Sequence, residues 1–215
     1  MSVLSEPPRD CPLCPRLVAY RMENRAQNPD WWNGPAPSFD SSTATSRLLI
    51  AGLAPGRTGA NRTGRPFTGD HAGVLLYETL KKTGFAEGRY DPDGDDDLRL
   101  IDCTITNVVR CAPPLNKPET SEEKTCSPFF ASKLAELPDL KVIVTLGDVA
   151  RRSVLRAMGL KASLGQPGHG SQFQAGGYTI LNSYHCSRLN TNTGRLTPAM
   201  FEDIFLRVRA LLAEG

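Results

Sequence analysis

Four short runs of apolar and β-branched residues constrain the fold of this chain more than any other feature of its sequence. Each run is bounded by Gly, Pro or polar residues, which is typical of strands that are buried on both faces of a parallel sheet. The runs are Leu48 to Leu53, Ile105 to Val109, Val142 to Leu146 and Tyr178 to Leu181. We therefore predict a short, mainly parallel, four-stranded central sheet.

Helical segments lie between and after these runs. Their predicted N-caps are Asp70, Thr120 (in a capping box with Glu123), Asp148 and Thr197. In the last segment, Pro198 stands at the first helical position, and the apolar residues recur at helical spacing. Those residues are Phe201, Ile204, Phe205, Val208, Leu211 and Leu212. Strands alternating with helices predict an α/β fold, specifically a three-layer α/β/α sandwich.

Length and composition indicate one globular domain. The chain has 215 residues, of which 40% are hydrophobic and 22% charged, enough for one substantial core. We treat residues 1–215 as a single domain and residues 28–46 as a long surface connection. No stretch resembles a signal peptide or a membrane span, so we expect a cytoplasmic protein without a membrane partner.

Charge is distributed unevenly along the chain. Residues 87–97 carry a net charge of −5, so the rest of the chain carries +7 of the total of +2. We expect this acidic run to be a solvated loop that faces away from any nucleic acid. Of the 25 cationic residues, 18 are Arg, which suits phosphate contacts, although a compositional bias explains the excess equally well. Charge therefore permits a polyanionic partner without requiring one.

Six cysteines in a cytoplasmic chain suggest metal binding more than disulfides. Cys11 and Cys14 form a C-P-L-C pair, and Cys111 and Cys126 lie far downstream. Four thiolates can bind either zinc or a [4Fe-4S] cluster, and the spacing does not choose between them.

Two polar, basic loops follow the first and the last predicted strands. Residues 54–70 contain four glycines and three arginines, and residues 182–195 contain no acidic residue. Ligands of such sheets bind outside the carboxyl ends of the strands, so these loops predict a groove for phosphates. Neither loop matches the G-x-x-x-x-G-K-[ST] or the G-x-G-x-x-G pattern, which argues against a nucleotide cofactor.

Four sequence segments together resemble one known family. They are GLAPG at 52–56, NRTGRPFTGD at 61–70, ITNVVRC at 105–111 and HCSRLNTNTG at 185–194. They resemble the iron–sulfur uracil-DNA glycosylases, most closely the B-type (family 5) members. The resemblance implies a glycosylase that removes uracil and hypoxanthine from double-stranded DNA and so initiates base excision repair. These segments contain no Lys, which argues against a Schiff-base lyase, so we expect a monofunctional enzyme, and we expect it to be a monomer.

The resemblance also implies roles for individual residues. Phe67 stacks on a base that is swung out of the duplex, and Asn107 reads its edge through an amide that both donates and accepts. His185 stabilises the negative charge that develops on the departing base. Ala54 stands in the substrate site where better-known relatives have a carboxylate. Asp70 either supports the water or the sugar cation, or only caps a helix.

Further residues are expected to contact DNA or the cluster. Leu189 resembles an apolar wedge that fills the gap left in the base stack. The expected DNA contacts are Arg57, Asn61, Arg62, Arg65, Ser187, Arg188, Leu189 and Asn190. The resemblance favours a [4Fe-4S] cluster on Cys11, Cys14, Cys111 and Cys126, with a structural role. Through it the N-terminal segment 1–46 would be attached to the rest of the domain.

Three other hypotheses compete with this one. A noncatalytic iron–sulfur DNA-binding module with a decayed site is the first, and the presence of Phe67, Asn107 and His185 together argues against it. A relative that traps DNA covalently would need a basic insertion after Asp70, where the sequence passes directly to His71. A phosphate-ester hydrolase would need clustered metal ligands, and the chain has three His residues.

Overall fold

The structure is a computed structural model that describes residues 6–214, so the ends of the predicted 1–215 domain lie outside the described residues. The strands are β1 (Leu48–Gly52), β2 (Ala86–Glu87), β3 (Arg99–Leu100), β4 (Cys103–Asn107), β5 (Val142–Leu146), β6 (Gln172–Ala175) and β7 (Tyr178–Ser183). The α-helices are α1 (Pro15–Gln27), α2 (Ala60–Thr63), α3 (His71–Lys82), α4 (Thr120–Ala135), α5 (Asp148–Ala157), α6 (Arg188–Asn192) and α7 (Pro198–Ala213).

The central sheet confirms the predicted α/β class and adds one strand to the prediction. Its order is β4-β1-β5-β7-β6, and β1 pairs in parallel with both β4 and β5. The four predicted strands run parallel, whereas β6 pairs antiparallel with β7 at the edge. The pattern Gln-Phe-Gln-Ala of β6 alternates polar and apolar residues over only four positions, so it lacks the continuous apolar run that marks a buried strand.

Helices cover both faces of the sheet and create two hydrophobic cores. On one face, α3 and α7 pack against Leu48 and Ile50 of β1. On the other face, α4 and α5 pack against Leu49 and Ala51. Because successive side chains of a strand point to opposite faces, β1 is buried on both sides and all five of its residues are inaccessible. This confirms the three-layer sandwich.

Two predicted helix caps are confirmed and two are wrong. Asp70 accepts a hydrogen bond from the Gly73 amide, and Thr197 accepts one from the Met200 amide. Thr120 does not cap α4, because Glu119 occupies the N-cap and its amide donates to the Glu122 carboxylate at 2.7 Å. The cap therefore lies one residue earlier than predicted.

Asp148 does not cap α5 as predicted. Gly147, with φ of +98°, is the N-cap, and Asp148 is the first helical residue. The carboxylate of Asp148 binds Arg151 and Arg152 instead, at 2.8 and 3.0 Å. A left-handed glycine is required at this point because the chain turns directly from β5 into the helix.

The predicted surface connection at residues 28–46 is partly buried. Asn33 and Ala36 are each 1% exposed, and the Phe39 amide donates to the Ile105 carbonyl of β4. This segment therefore packs against the domain and does not run over its surface. Among the described residues, no helix combines the length and the apolar character that a membrane crossing requires.

Candidate active site

A cavity of about 670 Å³ opens at the carboxyl ends of the parallel strands. Its walls are formed by the loops that follow β1, β4, β5 and β7, as expected for an open α/β sheet. The lining residues include Ala54, Phe67, Asp70, His71, Asn107, Asn116, Asp148, His185, Ser187 and Arg188. The structure thus brings together Phe67, Asn107 and His185, which lie in three remote segments of the chain.

Gly52 makes the close approach of two of these side chains possible. It is the last residue of β1 and pairs with Asn107 at the end of β4. A Cβ atom at Gly52 would lie 2.4 Å from Asn107 Oδ1 and 2.8 Å from Phe67 Cζ. Only a residue without a side chain fits there, so the sequence GLAPG begins with a glycine for reasons of space.

The Asn107 carboxamide faces the cavity without an internal partner. Asn107 is 3% exposed, and its side chain makes no hydrogen bond within residues 6–214. Its amide atoms are not among the buried atoms that lack a partner, so they keep contact with the solvent of the cavity. A bound molecule with both a donor and an acceptor on one edge would satisfy this amide.

The backbone around Phe67 is held in an unusual conformation by two tyrosine hydroxyls. Its φ is +56°, a left-handed conformation that a phenylalanine rarely adopts. The Tyr77 hydroxyl donates to the Pro66 carbonyl at 2.5 Å, and the Tyr90 hydroxyl donates to the Phe67 carbonyl at 3.5 Å. The Phe67 carbonyl also packs directly against Gly73. A Cβ atom at position 73 would lie 1.8 Å from the Phe67 carbonyl oxygen, so this close packing requires glycine.

The acidic run is not simply a solvated loop, which corrects that part of our expectation, although none of its residues lines the cavity. The Asp96 carboxylate is fully buried and binds Arg65 through two hydrogen bonds of 2.7 and 2.6 Å. Burial opposes ionisation of Asp96, but hydrogen bonds from Arg65 and from backbone amides outweigh it and lower its pKa to about 2. The acidic loop therefore packs beside the Phe67 segment.

Arg65 is consequently part of the protein interior. Its guanidinium lies over the rings of Phe39, Tyr77 and Tyr90, at 5.2 to 5.9 Å from their centroids. Because its charge is satisfied by Asp96, this placement gives Arg65 no free donor face for the predicted phosphate contact. It instead supports the two tyrosines that hold the Phe67 backbone.

The His185 imidazole lies on the same cavity. Its ring centroid is 6.3 Å from that of Phe67, with 36° between the ring planes. Burial lowers the pKa of His185, and the carboxylate of Asp70 only partly offsets that effect. The imidazole is therefore neutral at pH 7 and carries one N–H donor. Neither of its nitrogens has a hydrogen-bond partner within the described residues.

Asp70 serves a helix and a cavity at the same time. Oδ1 accepts from the Gly73 amide at 3.1 Å and so caps α3. Oδ2 lies beside the glycine turn of the first loop, 3.4 Å from the point where a Gly59 Cβ would be. The residue is exposed and lines the cavity. One oxygen is thus committed to the helix, and the other faces the site.

The loop after β7 borders the mouth of the cavity. Ser187 and Arg188 line it, whereas Leu189 projects outward and is 72% exposed. The Asn190 amide donates to the His185 carbonyl at 2.7 Å, so Asn190 stabilises this loop from within. Arg188 and Leu189 are thus both exposed beside the cavity.

Three other predicted DNA contacts have hydrogen-bond or ion-pair partners on the protein itself. Arg57 donates to Asn24 of α1 at 2.7 Å, and Asn61 is 2% exposed and donates to Asn33. Arg62 binds Asp93 of the acidic loop at 2.6 Å. These side chains join the first basic loop to its surroundings, and none of the three lines the cavity.

Sequence reasoning missed four polar residues of the cavity: Thr58, His71, Asn116 and Asp148. His71 follows Asp70, and its Nε2 lies 3.0 Å from Thr191 Oγ1, so it joins α3 to α6. Asn116 belongs to a short 3-10 turn after β4 and has a left-handed φ of +56°. Asp148 begins α5. The Pro-Pro-Leu-Asn sequence at 113–116 is a turn signal that marks one of these positions.

The four candidate cluster ligands line a second, much smaller cavity. Cys11, Cys14, Cys111 and Cys126 all contribute to its walls, beside Leu17, Val109 and Phe129. The other two cysteines, Cys103 and Cys186, are buried elsewhere in the main core. Within the described part of the chain, no group of three or more His, Cys, Asp or Glu side chains lies close enough together to hold a metal ion.

The donors around this small cavity suit an anionic occupant. The Arg110 amide donates to Cys126 Sγ at 3.4 Å, and Arg21 donates to Cys111 Sγ at 3.9 Å. The buried Nε of Arg21 has no partner among the described residues. Burial raises the pKa of Cys111 to about 12 and that of Cys126 to about 11, despite the nearby Arg21 and Arg110. Neither thiol therefore ionises at neutral pH unless it binds a metal ion.

Comparison with known proteins points to one family. The sequence model of the uracil DNA glycosylase superfamily matches residues 39–209. The chain is 44% identical over 207 residues to the type-5 uracil-DNA glycosylase of Thermus thermophilus, covering 94% of this chain and 93% of the relative. It is 42% identical to that of Mycobacterium tuberculosis (94% and 78% covered) and 37% identical to that of Pyrobaculum aerophilum (94% and 88% covered).

Proposed function

The chain belongs to the uracil DNA glycosylase superfamily, and from this premise we propose that it hydrolyses the bond between uracil and deoxyribose in DNA. The observation that carries the proposal is the convergence of Phe67, Asn107 and His185 on one cavity. A base enters such a cavity only after it leaves the stack of the helix, so the substrate nucleotide is extrahelical when it reacts.

The cavity supplies the groups that recognise uracil. The ring of Phe67 offers a stacking surface for the pyrimidine. The unpartnered Asn107 amide donates to O4 and accepts from N3–H, which distinguishes uracil from cytosine. Gly52 keeps these two side chains in contact range. Ala54 adds an apolar wall and no carboxylate.

Leaving-group stabilisation accounts for the chemistry. The bond between C1′ and N1 breaks first, and its electron pair departs with the base as a uracil anion. The neutral His185 donates a hydrogen bond to O2, where that charge accumulates. Water then adds to the sugar cation at C1′ and gives up a proton, and the uracil anion takes up one proton, so that an abasic site and neutral uracil remain. Asp70 Oδ2, the oxygen that does not cap α3, orients this water.

The finer features of the proposal concern substrate and assembly. We propose that the enzyme acts on double-stranded DNA, accepts hypoxanthine besides uracil and works as a monomer in base excision repair. The cavity volume of about 670 Å³ is large enough for a purine as well as a pyrimidine, which supports the wider range. Residues 1–215 form one domain in this proposal, and the N-terminal segment 1–46 is attached to the rest of it through an iron–sulfur cluster.

We also propose that the four cysteines hold a [4Fe-4S] cluster. When bound, the cluster supplies negative charge and covalent cross-links, and it takes no part in hydrolysis, which transfers no electrons. The amide and guanidinium donors that surround the cysteine cavity support this choice. All four cysteines line one small cavity, so a single shared group can bind them, and the resemblance to the iron–sulfur members favours the cluster over zinc.

Release of base from a defined duplex tests the function directly. The purified chain is mixed in excess with a duplex that carries one U·G pair, with a chelator of divalent metals present. We expect free uracil and an abasic product that alkali cleaves. If no deaminated base is released, the noncatalytic DNA-binding hypothesis is correct instead.

The variant Asn107→Ala tests the role of this residue in the same experiment. Removing a donor that acts on the reacting group lowers the rate by about 100- to 1,000-fold. We expect this loss in single-turnover excision, with little change in affinity for the duplex. A wild-type rate in the variant would remove Asn107 from the site.

A further inference from the structure

Another exposed leucine stands beside the cavity. We call residues 112–119 the proline loop; it follows β4 and contains Pro113, Pro114 and Pro118. Leu115 at its tip is 86% exposed, more than Leu189, and the next residue, Asn116, lines the cavity. The mechanism proposed above uses neither residue.

The proline loop holds Leu115 outward at a conformational cost. Leu115 has φ of +56° and ψ of +20°, and Asn116 also has φ of +56°. A side chain with a Cβ is disfavoured in this left-handed region, and leucine gains no compensating hydrogen bond there. Such outliers persist where the surrounding structure enforces them, and they cluster at functional sites.

The base of the loop is fixed by hydrogen bonds. The Asn116 and Lys117 amides donate to the carbonyls of Pro113 and Pro114, at 3.2 and 3.1 Å. Arg16 of α1 donates to the Lys117 carbonyl at 3.1 Å, and it also binds the buried Glu122. Leu115 is therefore presented from a rigid support.

The two exposed leucines belong to loops on different sides of the cavity. The proline loop follows β4 and the Leu189 loop follows β7, and β1 and β5 lie between these strands in the sheet. Neighbouring strands are about 4.8 Å apart, so the loops leave the sheet about 14 Å from each other. Each leucine has an exposed cation next to it or two residues away, Arg188 in one loop and Lys117 in the other.

We infer that Leu115 is a second apolar wedge, which packs against the base stack of duplex DNA beside the nucleotide that enters the cavity. The inference rests on the proposed function, because only an extrahelical nucleotide leaves exposed base faces next to the protein. Phosphates that flank this position match the cations near both leucines. Leu115 and Leu189 then hold the stack open from two sides.

Comparing excision from duplex and from single-stranded DNA shows whether Leu115 acts as a wedge in the base stack or as part of the pocket that binds the base. In Leu115→Asn the backbone is kept, because Asn tolerates the left-handed region, and the apolar group is lost. We expect single-turnover excision from a U·G duplex to fall about tenfold, the effect of losing one buried leucine contact. Excision from a single strand, which has no stack to hold open, should stay within about twofold. Leu115→Met should restore the duplex rate.

Leu164→Asn is the matched control, since Leu164 is an exposed loop leucine that does not line the cavity, and we expect wild-type rates on both substrates. A wild-type duplex rate in Leu115→Asn, or an equal loss on both substrates, would overturn the inference. Affinity for a duplex with a tetrahydrofuran abasic analogue gives an independent readout, expected to weaken about tenfold in Leu115→Asn. This readout decides the role of Leu115 even if the wild-type chain releases no uracil, which would refute the proposed function separately.

Discussion

Two side chains of the cavity are arranged for a molecule that is not part of the chain. The Asn107 amide and the His185 imidazole have no hydrogen-bond partner within residues 6–214, and both line the cavity. Neither belongs to the buried polar atoms that lack a partner, so both keep contact with the solvent of the cavity. Their hydrogen-bonding capacity is therefore available to a ligand.

The depressed pKa of His185 predicts a dependence of stability on pH. The unfolded chain binds a proton near pH 6.5, whereas burial keeps the folded imidazole neutral to lower pH. The free energy of unfolding should therefore fall as the pH drops below about 6.5. Urea unfolding of His185→Gln at pH 7.5 and 5.5 should show a smaller difference than the wild type.

His169, whose pKa burial also lowers, gives the comparison for that experiment. It lies on the far side of the β7 loop and does not line the cavity. His169→Gln should remove the part of the fall in unfolding free energy at low pH that comes from His169, and it should leave the part that comes from His185. The same pH dependence in His185→Gln and in the wild type would show that His185 is not desolvated.

At the scale of elements, the Asp70 carboxylate caps the start of α3 and has a proposed role in catalysis. Ser caps helices about as well as Asp, so Asp70→Ser should keep the free energy of unfolding, whereas Asp70→Ala should lose about 1 kcal/mol. If Oδ2 orients the water, both variants should excise uracil about 100-fold more slowly. Chemical unfolding and single-turnover rates measure the two effects separately, and full activity in Asp70→Ser would leave Asp70 as a cap alone.

The acidic loop is a second element whose role depends on one buried ion pair. Asp96→Asn leaves the Arg65 charge without its partner, which costs about 3 kcal/mol for a buried pair. Because Arg65 supports Tyr77 and Tyr90, we also expect weaker binding of free uracil. Asp93→Asn, which breaks the exposed pair with Arg62, should cost less than about 1 kcal/mol. Equal losses in both variants would contradict this division.

The sequence predicted the elements that have a strong period and missed those that depend on tertiary partners. β1 and β5 are almost wholly apolar, β4 and β7 contain β-branched residues and, in β7, an aromatic one, and the face of α7 repeats at helical spacing. The edge strand β6 is short and half polar, and it exists because β7 offers it hydrogen bonds. In the same way, Arg65 and Asp96 are adjacent only after the chain folds, so charge along the sequence could not reveal their pairing.

The candidate site was predictable to the extent that its residues belong to motifs. Phe67, Asn107 and His185 were expected to meet, and the structure places them on one cavity. Arg57, Asn61 and Arg62 were expected to contact DNA, and the structure engages them with the N-terminal segment and the acidic loop. A cation in a loop looks the same in sequence whether its partner is a phosphate or a carboxylate.

For the whole molecule, the cysteine cavity determines how the N-terminal segment is attached. Chain purified without oxygen should contain about four iron atoms, and Cys126→Ser should lose them together with the protection of α1 from protease. Metal analysis, visible absorbance and limited proteolysis give the readouts. Cys186→Ala, at a cysteine outside the cavity, should keep its iron, and zinc in place of iron would contradict the assignment.

Gly52 shows that a residue that does not touch the substrate can still be intolerant of mutation. It is absent from the walls of the cavity, so a survey that replaces only residues touching the base would omit it. Even a single added methyl group there would push the amide and the aromatic ring apart while leaving both in the sequence. A variant of this kind would keep Phe67, Asn107 and His185 in the sequence and still fail to recognise the base.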